Sequence, residues 1–93
     1  AEAASTGVTV LGEVRTPGRV PLSVNRDRLL DVIAASGGPT RSPEEIEVVV
    51  NRGETTWRAP WTAVTTRFDQ NVRLAPGDRV SLEYRPRRYS VMG

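Results

Sequence analysis

Residues 29–38 read LLDVIAASGG, and this stretch decides how the rest of the chain must be arranged. Leu29, Leu30, Ile33 and Ala34 recur at i, i+1, i+4 and i+5, the spacing of an apolar stripe along one side of a helix. Asp27 is the expected N-cap. Gly37-Gly38 ends the helix, and Pro39 prevents its continuation. A helix of about ten residues does not hold in water unless a surface receives its apolar side. The flanking sequence must therefore supply a sheet.

Upstream, Val8 to Arg15 alternates as a strand, and Thr16-Pro17-Gly18 has the proline and glycine of a type II turn. Val20, Leu22 and Val24 then read as the returning strand of a hairpin. Pro21 has no amide to donate, so its side of that strand faces an edge or solvent. Downstream, Ser42-Pro43-Glu44-Glu45 carries a capping-box pattern that turns at once into Ile46-Glu47-Val48-Val49-Val50. One helical turn followed by a strand is expected there. Asn51-Arg52-Gly53-Glu54 closes a second hairpin onto Thr55 to Arg58. Ala59 to Gln70 is read as irregular, with a short helical turn around Trp61 to Val64. After a tight turn at Ala75-Pro76-Gly77-Asp78, Val80, Leu82 and Tyr84 alternate as the last strand. The expected fold is α+β: a small mixed β-grasp-like sheet with one main helix packed across it. A ferredoxin-like arrangement would need a second real helix near Trp61.

Composition removes several classes of function. The 93 residues hold one domain, and a hydrophobic fraction of 38% suits one modest core. There is no histidine and no cysteine, so Ser-His-Asp and Cys-His activation, disulfides and the commonest zinc ligands are excluded. All thirteen basic residues are arginine, yet the net charge is only +2, too little to imply nucleic acid. No apolar run is long enough to span a membrane as a helix. The opening AEAAST has neither a basic nor an apolar region of a signal peptide, so an exported protein would carry its signal outside this stretch.

Three landmarks together resemble one family. Val8 to Gly18, V-x-V-x-G-E-V-x-x-P-G, is similar to the opening of an SLBB domain, the soluble ligand-binding β-grasp module. Leu29 to Gly38 resembles that family's helix and double glycine. Asn71 to Val80, NVRLAPGDRV, resembles its late N-(I/V)-x-L-x-x-G-D-x-V element. The chain departs from the family at Ser36, where alanine is frequent. Thr9-Val10-Leu11-Gly12 also matches Ser90-Val91-Met92-Gly93 in type. Residues 1–86 are thus expected to form the domain, and residues 87–93 a linker and the first strand of a further repeat.

Within SLBB proteins the resemblance is to the outer-membrane polysaccharide export family. It implies a periplasmic, non-enzymatic wall unit that assembles with copies of itself in a ring around a capsular or exopolysaccharide chain. It also implies an inner-membrane copolymerase or tyrosine kinase as partner, and no cofactor. The alternatives are a small-ligand SLBB domain of the cobalamin-uptake or respiratory-complex kind and, more remotely, a basic nucleic-acid module.

Candidate contact residues follow from local chemistry. Trp57-Arg58-Ala59-Pro60-Trp61 sets two indoles beside a guanidinium, able to stack on sugar faces and to bind acidic groups. The competing reading places the tryptophans in the core. Arg85, Arg87 and Arg88, with Arg73 and Arg79 near them, form a basic cluster that suits a solvated linker, a neighbouring subunit or an anionic glycan. Glu44, Glu45 and Glu47 offer paired carboxylates, but a cap and a solvated strand face explain them better than acid-base catalysis. The glycines are read as turn and helix-stop positions, since neither a P-loop nor a G-x-G-x-x-G is present.

Overall fold

The valine-rich stretches near the two ends of the sequence lie side by side. The computed structural model describes residues 7–23, 25 and 27–86; the expected linker and repeat strand at 87–93 lie outside them. Strand β1 (Gly7–Gly12) runs parallel to β5 (Arg79–Tyr84) and antiparallel to β2 (Gly18–Pro21). Strand β3 (Ile46–Arg52) pairs antiparallel with β4 (Thr55–Pro60) on one side and with β5 on the other. The order β2-β1-β5-β3-β4 is a mixed sheet with its two hairpins outermost, the β-grasp arrangement expected from the order of elements.

Register follows the apolar alternation. Val10 lies opposite Val80, Val80 opposite Val50, and Val50 opposite Trp57, so one row of side chains crosses four strands on the same face. Helix α1 (Leu29–Ala35) closes that face, burying Leu29, Val32 and Ile33 in one cluster with Val8, Val20, Val48 and Leu82. The second hairpin turns through Gly53-Glu54, with Gly53 at φ +59°, a conformation glycine reaches without strain.

The first hairpin is not closed by the expected tight turn. Its last pair is Val10 with Gly18; Leu11 and Gly12 stay paired to β5 alone, and residues 13–17 then leave the sheet. Gly12, at φ +89°, makes that departure, passing so close to the Leu82 carbonyl that a Cβ would collide with it. The freed segment then anneals to the end of α1. Arg15 N–H donates to the Gly38 carbonyl (3.1 Å), Thr16 N–H to Ser36 (2.9 Å), and Thr40 N–H to Glu13 (2.9 Å). Gly37 allows this approach, since a Cβ there would sit 2.8 Å from that of Arg15. The strand-end motif and the double glycine are two sides of one contact.

The helix start also differs from expectation. Its N-cap is Arg28, because Asp27 is held outside the helix: its carbonyl accepts from Leu74 N–H (2.7 Å) and its carboxylate lies 3.7 Å from Arg73. The unpaired amides of the first turn are met from far along the chain. Leu29 N–H donates to the Val72 carbonyl and Leu30 N–H to the Asn71 side-chain oxygen, both at 2.9 Å. Asn71 therefore caps a helix forty-one residues upstream.

Helix α2 (Trp61–Thr66) forms where a short helical turn was expected around Trp61 to Val64, and runs two residues beyond it. The threonine-rich WTAVTT favours no helix by itself. Burial of Val64 holds it in place, and the Thr65 and Thr66 hydroxyls donate back to the Thr62 carbonyl. Asn71→Ala should cost about 1 kcal/mol, as loss of a cap does. Gly12→Ala should cost about 2–4 kcal/mol, joining a disfavoured φ to a backbone collision. Urea unfolding followed by circular dichroism measures both; a Gly12→Ala protein as stable as the parent would contradict the account of β1's end.

Candidate functional site

Strand alternation divides the tryptophan-arginine stretch between two faces. In β4, Trp57 and Ala59 point to the helix-covered side, and Arg58 points to the open side of the sheet. Trp57 and Trp61 are both partly buried against the core. Arg58 is met on the open side by Arg85, which follows β5, so the indoles and these two guanidiniums do not form one surface. Arg87 and Arg88 lie outside the described residues.

On the open face Glu47 and Glu83 sit opposite each other on neighbouring strands, a pairing of like charges that costs stability unless compensated. Arg58 and Arg85 each compensate both. Arg58 lies 3.2 Å from Glu47 and 3.4 Å from Glu83, and Arg85 lies 3.2 Å and 3.0 Å from the same two. The Arg85 hydrogen bond, helped by Arg58 and opposed by partial burial, holds the Glu83 carboxyl below the usual carboxylate range. Glu47 is thus part of an ion network, while Glu44 and Glu45 lie in a single 3₁₀ turn (Pro43–Glu45). Around this network the open face continues through Thr9, Arg79, Ser81, Asn51 and Thr56, so it is polar along most of its length.

At the turn end of β3 and β4, a groove of about 240 Å³ is lined by Val50, Arg52, Thr55, Trp57, Val72 and Arg73. Arg73, grouped by sequence with the C-terminal arginines, is placed here instead. Arg52 went unnoticed in the sequence, although a signal existed. It shares the inward parity of Ile46, Val48 and Val50, and although its side chain is 56% exposed, an arginine on that parity signals a counter-charge close by.

The counter-charge is Asp78, whose side chain is 2% exposed. Arg52 donates to it from Nε (2.9 Å) and Nη2 (2.7 Å), and the Ala75 N–H adds a third bond at 2.9 Å. Burial pushes the Asp78 carboxyl up, but these hydrogen bonds and the guanidinium charge together outweigh it and leave the group below its ordinary value. The Gly77-Asp78 pair is therefore a turn locked by an ion pair. Among the described residues, Ser36 is the other buried polar side chain, 1% exposed, and its hydroxyl has no partner there. Among the described residues, no three carboxylates, histidines or cysteines converge on a cation site.

Comparison with known proteins adds the lineage. The family model described as "SLBB domain" matches residues 6–82. The chain belongs to the SLBB family. This SLBB domain is 34% identical over 89 residues to the capsule polysaccharide export protein BexD of Haemophilus influenzae, covering 96% of the chain and 22% of that protein. It is 31% identical over 75 residues to the capsule polysaccharide export outer membrane protein CtrA of Neisseria meningitidis, covering 81% of the chain and 19% of the relative. The SLBB domain thus spans about a fifth of the length of the curated relatives it matches.

Asp78 carries a pH signature. With its folded pKa depressed, its stabilising share is fully present above the unfolded carboxylate value near 3.9 and is lost as pH falls through the folded value. Asp78→Asn should cost about 1.5–3 kcal/mol at pH 7 and distinctly less at pH 3. Urea unfolding across that range tests this, and an equal loss at both ends would contradict the assignment.

Proposed function

We propose that this SLBB domain is a non-enzymatic wall unit of a polysaccharide export protein, standing in the periplasm and associated with the outer membrane. The match to the SLBB family, together with two relatives named for capsule polysaccharide export, is the observation that carries this reading. The geometry supports it in a second way. A β-grasp unit whose open sheet face is polar and internally charge-compensated offers a hydrated polymer many weak contacts and no deep trap.

In this reading the domain packs side by side with copies of itself in a ring, and the acidic or neutral glycan moves along the polar wall. Strong sites would stall transport, so the network of Glu47, Glu83, Arg58 and Arg85 serves by satisfying its own charges before the polymer arrives. An inner-membrane copolymerase or tyrosine kinase is the partner that delivers the chain. Nucleic acid is not among the partners in this reading: among the described residues no recognition helix accompanies the arginines, and the sequence has no aromatic-flanked basic motif.

Deletion of the encoding gene should leave polysaccharide synthesised but retained within the cell envelope, with little at the surface. Immunostaining of intact against permeabilised cells measures the two pools. Unchanged surface polysaccharide would overturn the proposal. In binding assays the protein should retain acidic polysaccharide in preference to single-stranded DNA of equal charge, and tighter binding to DNA would count against it.

A further inference from the structure

We propose that the groove between the β3–β4 turn and residues 72–73 receives one carboxylated sugar residue of the polymer, with Trp57 as the stacking surface and Arg73 as the counter-charge. The inference rests on the export reading above and names the class of sugar that the domain contacts.

Three features of the groove point the same way. Its lining joins an indole and two valines to two guanidiniums, and no carboxylate is among the lining residues. A pyranose presents an apolar C–H face and, when it is a uronic or sialic acid, a carboxylate at its rim. Indole and guanidinium are matched to those two groups respectively. The guanidiniums also differ in freedom. Arg52 is fixed by Asp78 and by its bond to the Arg73 carbonyl (3.3 Å), so it forms a rigid wall whose charge is already matched. Arg73 is 68% exposed, and its ion pair with Asp27 is loose at 3.7 Å, which a ligand carboxylate can replace. Finally, a volume of about 240 Å³ lies below the roughly 300–1,000 Å³ of pockets for drug-sized ligands, so it admits a single ring of a longer chain.

Two other surfaces fit this ligand poorly. Arg58 and Arg85 are each shared between two glutamates, so a sugar carboxylate would have to displace fixed partners. The groove beside β2, lined by Val20, Pro21, Ser23, Asp31, Ala34 and Ala35, has a carboxylate and no arginine, and repels the same group.

Contact with one ring in a groove open to solvent gives millimolar affinity, weak enough for a passing chain. The test is ¹⁵N nuclear magnetic resonance of this 93-residue chain, with the two indole signals assigned through Trp61→Phe. Tetragalacturonate is the carboxylated probe and maltotetraose the neutral one. The Trp57 indole signal should shift saturably with tetragalacturonate, at least fivefold more tightly than with maltotetraose. Arg73→Gln should weaken the carboxylated probe at least fivefold and leave the neutral one unchanged. Raising salt from 50 to 300 mM in the unmodified protein should reproduce that difference without any substitution.

A Trp57 signal unmoved by tetragalacturonate, or moved equally by both probes, would overturn the groove assignment. Shifts confined to the amides around Arg58 and Glu83 would also overturn it while leaving sugar contact by the domain standing. Unchanged surface polysaccharide after gene deletion would instead remove the export reading, whatever the groove binds in vitro.

Discussion

Backbone pairing between β1 and β5 is what makes one domain of two hairpins. The β1–β2 pair and the β3–β4 pair are each local, and a two-stranded hairpin alone is at best marginally stable in water. Strand β5 joins them, bonding to β1 on one side and to β3 on the other. Once it is in place, Val10, Val80 and Val50 fall into one row and α1 has a continuous surface to cover. The Gly12 exit, the capping of α1 by Asn71 and the Arg52–Asp78 clamp all guard this join. Gly12 releases the chain against Leu82 of β5, Asn71 and Val72 tie the approach to β5 onto the helix, and Asp78 fixes the turn just before β5 begins.

Most of this architecture could be read from the residues, because strands and the main helix announce themselves by period. The valines of β1, β3 and β5 alternate, and LLDVIAASGG carries its stop and half of its stripe. Leu29 and Ile33 are buried as expected, but with Val32, while Ala34 is exposed. What could not be read were the long-range solutions to local needs. Asp27 looked like a cap because capping is usually local, yet the partner for the helix amides came from Asn71. The Thr16-Pro17-Gly18 turn looked tight because its residues suit one, but residues 13–16 were drawn to the end of α1 by backbone bonds with no sequence pattern. Helix α2 showed only as a short helical turn, because its threonines oppose a helix and the burial of Val64 carries it on to Thr66.

The candidate contact residues show how far adjacency in sequence misleads on a strand. Trp57 and Arg58 are neighbours in the chain and lie on opposite faces of the sheet. Arg58 joins Arg85 through two glutamates, and Trp57 joins Arg52 and Arg73 across a groove. Chemistry that seemed to belong to one short segment is therefore distributed over two surfaces with different character. One is internally neutralised and suited to passage, the other leaves an exposed, loosely paired cation beside an aromatic ring.

The parallel alignment of β1 with β5 has a mechanical consequence. In a parallel pair the start of one strand lies beside the start of the other, so Gly7 and Tyr84 stand at opposite ends of the shared ladder. Tension applied through the two ends of the domain loads that ladder in shear, and its bonds must give way together instead of opening one by one like a zip. The same two strands that complete the core thus make the unit stiff along the line joining those two ends.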